Sequence, residues 1–277
     1  MRVRYSFSSR KTRKIEGTNR HKRPFPDVVR DLIRIADIIL EIVDARFIDE
    51  TRNHDLEEAV RSAGKRLVFI FNKCDVADIA RVKKEINEKK LTPFVLVSCK
   101  EFMGKKRLRE RLQIETKRLR LPRRALVGIV GYPNTGKSSL INMITGRKSA
   151  GTSPQAGFTK GIQKIAFTKD IHIIDTPGVI AKRDAPGTEK ENIMRSVKIG
   201  IKTYDRVKNP IFVVARLMRN FPGLFDKHYA TDTGNDPEKL IEHLGKKNNL
   251  LAKGGIVDSD RTARLILKDW QTGKIKL

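Results

Sequence analysis

Eight residues near the middle of the chain carry the clearest chemistry: Gly131-Tyr132-Pro133-Asn134-Thr135-Gly136-Lys137-Ser138. They fit G-x-x-x-x-G-K-[ST], a loop whose glycines let several backbone N–H groups converge on one phosphate. Lys137 is placed to reach the outer phosphates of a nucleotide, and Ser138 to hold a Mg²⁺. Thr135, Gly136 and Ser139 are counted with the nucleotide contacts. A second group is Asn72-Lys73-Cys74-Asp75. A carboxylate placed like that of Asp75 accepts two hydrogen bonds, from the N1–H and the exocyclic amine of guanine. Adenine has neither donor in that geometry, and a buried polar group left unpaired costs ~1–3 kcal/mol. Asn72 would brace the loop and meet the base, and the Lys73 stem would lie along the ring. Ser98-Cys99-Lys100 offers a backbone N–H, that of Cys99, to the guanine O6. Asp175-Thr176-Pro177-Gly178 puts a carboxylate where it can support Mg²⁺ and a glycine N–H where it can approach a γ-phosphate. Thr159 is the best second hydroxyl for the metal.

These groups need elements to position them. Ala125 to Val130 is a short apolar run that suits a buried strand, and Ser138 to Gly146 reads as a helix, so the phosphate loop has the strand–loop–helix setting it needs. Upstream, the pattern predicts a helix over 26–36, a strand Ile38 to Val43 and a helix over 54–64. A strand Leu67 to Phe71, a helix over 76–90, a strand Phe94 to Val97 and a basic helix over 102–118 follow. Downstream, Ile162 to Phe167 and Ile171 to Ile174 read as a hairpin, and 189–204 as a helix. The four ligand loops each follow a strand, which in a parallel α/β sheet gathers them on one rim. The expected fold class is α/β, a three-layer P-loop sandwich. Residues 205–277 differ. Three helices, near 209–220, 236–245 and 259–270, suggest a small all-helical domain, with Asp236 and Asp258 in N-cap regions and Pro237 in a first turn. The expected division is a basic arm 1–23, an α/β domain 24–204 and a helical domain 205–277.

The chain has 277 residues, 33% of them charged, a formal net charge of +27 and a pI near 10.3. A phosphate-rich polymer is the partner that best explains such a charge. Residues 1–35 hold eleven Arg or Lys against three acids, and 102–124 hold ten against two. No apolar run reaches the ~18 residues of a membrane span, and no signal peptide is evident, so no membrane partner is expected. Cys74 and Cys99 suggest neither a disulfide framework nor a zinc site, and point to a reducing, cytoplasmic compartment. Phe212, Phe221, Phe225, Tyr229 and Trp270 are read as core residues.

The phosphate loop, Thr159, Asp175-Thr176-Pro177-Gly178, Asn72-Lys73-Cys74-Asp75 and Ser98-Cys99-Lys100 together resemble the five signatures of a Ras-like GTPase. Their order is rotated, the base motifs preceding the phosphate motifs. This resembles the circularly permuted GTPases of the YlqF/YawG (RbgA-like) family, which act in ribosome assembly, and Asp44-Ala45-Arg46 resembles that family's Asp-Ala-Arg signature. Ser-Cys-Lys stands where Ser-Ala-Lys is usual. The resemblance implies a permuted GTPase topology, GTP hydrolysed to GDP and phosphate with Mg²⁺, and a monomer that binds ribosomal RNA or a pre-ribosomal subunit. It places Lys137, Thr159 and Gly178 at the reacting phosphate. Val179 stands where a water-orienting glutamine is expected, so intrinsic hydrolysis should be slow. Asn134 resembles the asparagine that lets related GTPases bind K⁺. His21, sixteen residues before Asp37, is read either as catalytic or as RNA-facing. The permutation leads the chain from the switch region straight into 205–277, so nucleotide state is expected to set the angle or order of that domain. Two other readings stay open: a regulatory GTPase in RNA modification or stress signalling, and a nucleotide-gated RNA-binding module with negligible turnover.

Overall fold

The computed structural model describes residues 25–146, 163–175, 197–200 and 202–277. Six strands form one sheet in the order β3-β2-β1-β4-β6-β5. They are β1 (Ile38–Asp44), β2 (Arg66–Asn72), β3 (Phe94–Leu96), β4 (Ala125–Gly131), β5 (Gln163–Thr168) and β6 (Ile171–Asp175). All pairings are parallel except the β5–β6 hairpin at one edge. Strand β1 is buried along all seven residues, as a central parallel strand must be. Its side chains alternate between the faces: Ile38, Leu40 and Ile42 enter one core layer, while Ile39 and Val43 enter the layers opposite.

Helices cover both faces. On one lie α1 (Phe25–Ile35), α3 (His54–Ser62) and α4 (Ile79–Glu88), burying Leu32, Val60, Val82 and Ile86. On the other lie α5 (Lys105–Leu119) and α6 (Lys137–Thr145), burying Leu108, Leu112, Leu140 and Ile144. The three layers match the α/β expectation. A four-residue helix, α2 (Ile48–Thr51), follows β1 and was not legible in the pattern.

Several boundaries differ from the sequence reading, each for a local reason. The helix expected over 102–118 starts at Lys105, because Phe102 and Gly104 hold left-handed backbone in the turn before it. The helix expected over 76–90 splits into a 3-10 turn Cys74–Val76 and α4. Asp78 caps α4 by accepting from the Ala80 and Arg81 N–H groups. The helix expected over 189–204 does not reach 204: Gly200 turns with φ +78° and a 3-10 turn occupies Tyr204–Arg206, while 189–196 lie outside the described residues.

The last stretch holds α7 (Pro210–Asn220), α8 (Leu224–Tyr229), α9 (Pro237–Lys247) and α10 (Ser259–Gln271). Asp236 and Asp258 cap α9 and α10, each accepting from first-turn N–H groups. Trp270 sits at the centre of their core, with the rings of Phe221, Phe225 and Phe47 at centroid distances of 5.1, 5.8 and 5.8 Å. Phe47, from the β1–α2 connection, thus belongs to the core of the helical cluster. Phe212, expected in this core, is instead 43% exposed on α7. No helix among the described residues is long and apolar enough to cross a membrane.

Candidate functional site

Parallel strands end on one rim, and the register shows which residues meet there. Asp44 lies opposite Asn72 across β1 and β2, and Ile42 opposite Gly131 across β1 and β4. Above this rim opens a cleft of about 750 Å³. Its lining brings together Asn72, Lys73 and Asp75, then Cys99 and Lys100, then Asn134, Gly136, Lys137, Ser138 and Ser139. Residues from three separate stretches of sequence therefore share one cavity. Ser98 and Thr135 are buried beneath it. Asp175 ends β6, next to β4. His21, Thr159 and Gly178 lie outside the described residues.

Asn72 ties the base loop to the phosphate loop. A carbonyl only accepts, so the Asn72 Nδ2 donates to Thr135 O at 2.7 Å, and its Oδ1 accepts from the Cys99 N–H at 3.1 Å. The side chain is buried, so both bonds form away from water, where an unmade one is costly. The Cys99 N–H, expected to meet the guanine O6, here donates to Asn72. Gly136 makes the close approach possible: a Cβ there would stand 2.1 Å from Asn72 Nδ2, and its φ of +105° suits only glycine.

Gly136 is also the N-cap of α6, and no side chain caps that helix. Its first-turn N–H groups and the positive end of its dipole are left for an anion in the cleft. Lys137 Nζ donates to Gly131 O and Tyr132 O, both at 2.7 Å. Burial pulls its ammonium down to a pKa of about 8, and a phosphate beside it would raise that value again. The Asn134 amide donates to Gly200 O, linking the phosphate loop to the segment that precedes the helical cluster.

Behind the base loop lies a charged network that the motif reading did not foresee. Arg46 grips Asp44 with Nε and Nη2 at 3.0 and 2.9 Å, and Lys73 Nζ meets the same carboxylate at 2.8 Å. Burial would raise the Asp44 pKa, but Arg46 and Lys73 outweigh it and hold it at about 2. Lys73 takes left-handed backbone, φ +63°, to make this contact. The remaining Arg46 nitrogen, Nη1, donates to Trp270 O at 3.1 Å, so the network reaches the core of the helical cluster. That cluster also lines the cleft, through Gln271, Thr272 and Gly273. Leu277 N donates to Val76 O at 3.2 Å, fastening the end of the chain beside Asp75. No local pattern marked 271–273; only the three-dimensional closure reveals them. Burial pushes the Cys99 thiol up to about 12, which leaves it unreactive.

The residues present suit a Mg²⁺ held jointly with phosphate. Ser138, in the first turn of α6, lines the cleft, and Asp175 ends the strand β6. Both are hard oxygen donors. Among the described residues no group of three His, Cys, Asp or Glu could hold a metal by itself.

A phosphate loop facing a strand-end Asn-Lys-x-Asp across one cleft, with the base loop earlier in the chain, defines a circularly permuted P-loop fold. The family model described as 50S ribosome-binding GTPase matches residues 126–249. A GTP-binding protein of Methanocaldococcus jannaschii is 38% identical over 92% of this chain and 66% of its own length. Nucleolar GTP-binding protein 2 of Saccharomyces cerevisiae is 30% identical over 88% of this chain and 50% of its own. The chain thus spans between about half and two thirds of the length of these relatives. Among solved structures, YlqF from T. maritima in its GNP-bound form superposes with a TM-score of 0.66, covering 91% of this chain and 94% of that one at 24% identity. The chain belongs to the YlqF/YawG family of circularly permuted GTPases.

Proposed function

We propose that this protein binds GTP, hydrolyses it to GDP and phosphate, and uses the cycle to dock on and leave a pre-ribosomal particle. The observation that carries the reading is the single cleft in which Asp75 and the Lys137–Ser138 helix N-terminus face each other. Asp75 accepts the guanine N1–H and amine, and the Lys73 stem supports the ring. With the Cys99 N–H engaged by Asn72, the next backbone donor for the guanine O6 is that of Lys100. Lys137 and the α6 N–H groups hold the β- and γ-phosphates. Ser138, Asp175 and Thr159 would hold Mg²⁺, which neutralises charge on the phosphate oxygens. The Gly178 N–H approaches the γ-phosphate. Water adds to the γ-phosphorus, and the β–γ bridging oxygen leaves with the bonding electrons. Asn134 keeps its Oδ1 for a K⁺ beside the developing charge, in which case K⁺ stimulates turnover more than Na⁺. His21 is placed either at the reacting water or against RNA.

The ribosomal partner is supported by the description of the matching family model, by the nucleolar relative, and by a net charge of +27. The arm 1–23 and the helical region 205–277 are proposed as RNA contacts of a monomeric protein. Val179, which cannot orient water, favours a second reading: a nucleotide-gated RNA-binding module with negligible turnover. One experiment separates them. GTP turnover is measured with and without ribosomal subunits, alongside co-sedimentation with subunit precursors in GDP and in a GTP analogue. Nucleotide-dependent co-sedimentation and subunit-stimulated turnover are expected. Co-sedimentation without turnover would leave the module reading, and neither would defeat the ribosomal role.

A further inference from the structure

The opposite rim of the sheet carries a second concavity, of about 710 Å³. Lys117 and Arg120 of α5, Arg123 and Arg124 before β4, and Lys169 in the β5–β6 turn line it. Strands β4 and β6 begin here and end at the nucleotide cleft, so β4, with seven residues, separates the two by roughly 20 Å.

Three features set this cleft apart from an ordinary basic surface. First, the cations on the other flank of α5 have an acidic partner: Arg118 and Arg111 share the buried Glu115 with Arg66 of β2, at 3.1, 3.6 and 3.9 Å. Inside the cleft, Arg123 is spent on Asp37, at 2.7 and 2.9 Å. Lys117, Arg120 and Lys169 make no ion pair among the described residues, and Arg124 Nη1 lies 3.3 Å from the His172 Nε2. Second, Arg120 closes α5 with φ +48°, a left-handed position that glycine fills at lower cost. An arginine there keeps a charge at the mouth of the cleft at the expense of the cap. Third, Thr116 lines the same cleft, and its Oγ1 is buried with no hydrogen-bond partner among the described residues.

We infer that this cleft binds the phosphodiester backbone of RNA, as a contact separate from the guanine-nucleotide site. The inference rests on the RNA-bound reading above and locates one of its contacts. Charge is concave and repeated: Lys106 and Arg109 continue the line of Lys117 and Arg120 along α5 at helical spacing. A membrane surface fits less well, since Ile114 is the one large apolar side chain exposed on α5.

The test uses the full chain and the triple variant Lys117→Ala, Arg120→Ala and Lys169→Ala. Binding to a mixed-sequence 20-nucleotide single-stranded RNA is followed across salt concentrations, with phosphatidylserine vesicles and GDP binding in parallel. Affinity for RNA is expected to fall at least tenfold at 0.1 M salt. The log–log salt slope should flatten by about 2, at about 0.7 per phosphate released. GDP affinity should stay unchanged, which also reports correct folding. If the unaltered chain binds RNA and the triple variant matches it in affinity and slope, the cleft is not the contact, and the RNA-bound reading stands without it. Loss of vesicle binding with RNA binding intact would likewise overturn the inference. If the unaltered chain binds no RNA at all, both fall together.

Discussion

Asn72 shows how much one amide can do. It holds the phosphate loop through Thr135 O and the base loop through the Cys99 N–H, so both halves of the cleft depend on its two ends. Asn72→Asp would set a carboxylate oxygen against the Thr135 carbonyl, two acceptors with no proton between them. GDP affinity is expected to fall at least tenfold, by nucleotide titration, with a lower melting temperature even without ligand. Asp75→Asn tests the base instead. Its amide can donate where xanthine presents a carbonyl in place of guanine's amine, so GDP should weaken by ~1–3 kcal/mol while XDP gains. Equal loss of both would show that Asp75 does not face the base edge. Motif spacing made these residues legible because each is fixed by what a phosphate or guanine demands of a strand-end loop. Two aspects were not legible. The Cys99 N–H is diverted by an Asn72 side chain 27 residues away, and Arg46 acts through a carbonyl at Trp270, 224 residues away. Neither leaves a local pattern.

At the scale of elements, β1 combines an expected role with an unexpected one. Its apolar run marked it as a buried strand, yet its centre holds Glu41, fully buried on the α3 side. Glu41 Oε1 accepts from the Asn53 N–H at 2.7 Å, while Oε2 has no partner. Burial, with Glu57 nearby, raises its pKa to about 8. The sign follows from linkage. The folded chain keeps a proton that the unfolded chain releases near pH 4.5, so this stability is fully present below that pH. It is lost as pH rises through about 8. Glu41→Gln keeps the acceptor for Asn53 and removes the ionisation. Urea denaturation between pH 5 and 8.5 should show the unaltered chain losing on the order of a few kcal/mol that the variant retains. Parallel slopes would refute the assignment. The interiors of the longer helices were legible, but α2, α8 and the helix ends were not. Left-handed residues such as Phe102 and Lys73 set those ends, and neither type announces such backbone.

Over the whole molecule, the helical cluster is fastened to the base side of the cleft rather than standing apart from it. Arg46 bonds Trp270 O, Gln271 Nε2 bonds the carbonyls of Val197 and Lys202, and Trp270 Nε1 bonds Lys198 O. Gly200, in that same segment, meets Asn134 of the phosphate loop. These contacts are the two routes by which nucleotide state is expected to reach 205–277. Hydrogen exchange there is expected to differ between GDP and a GTP analogue, and identical rates would remove the coupling. Arg46→Ala should destabilise the fold by ~3–5 kcal/mol, since it strands the buried Asp44 with Lys73 alone. It should also diminish the exchange difference. The α/β class and the helical tail were legible from periodicity, whereas their closure onto one cleft depends on contacts across the whole chain. The strand order has one more consequence, in the time domain of synthesis. Strands β1 to β3 carry the loops proposed to read guanine, β4 to β6 those proposed to read phosphate, and in the sheet the two groups meet only along β1–β4. A ribosome making this chain releases the guanine half complete, before the phosphate half has been translated. The newborn protein has no use for nucleotide until that seam closes, welded at one rim by Asn72 and Thr135 and at the other by Asp37 and Arg123.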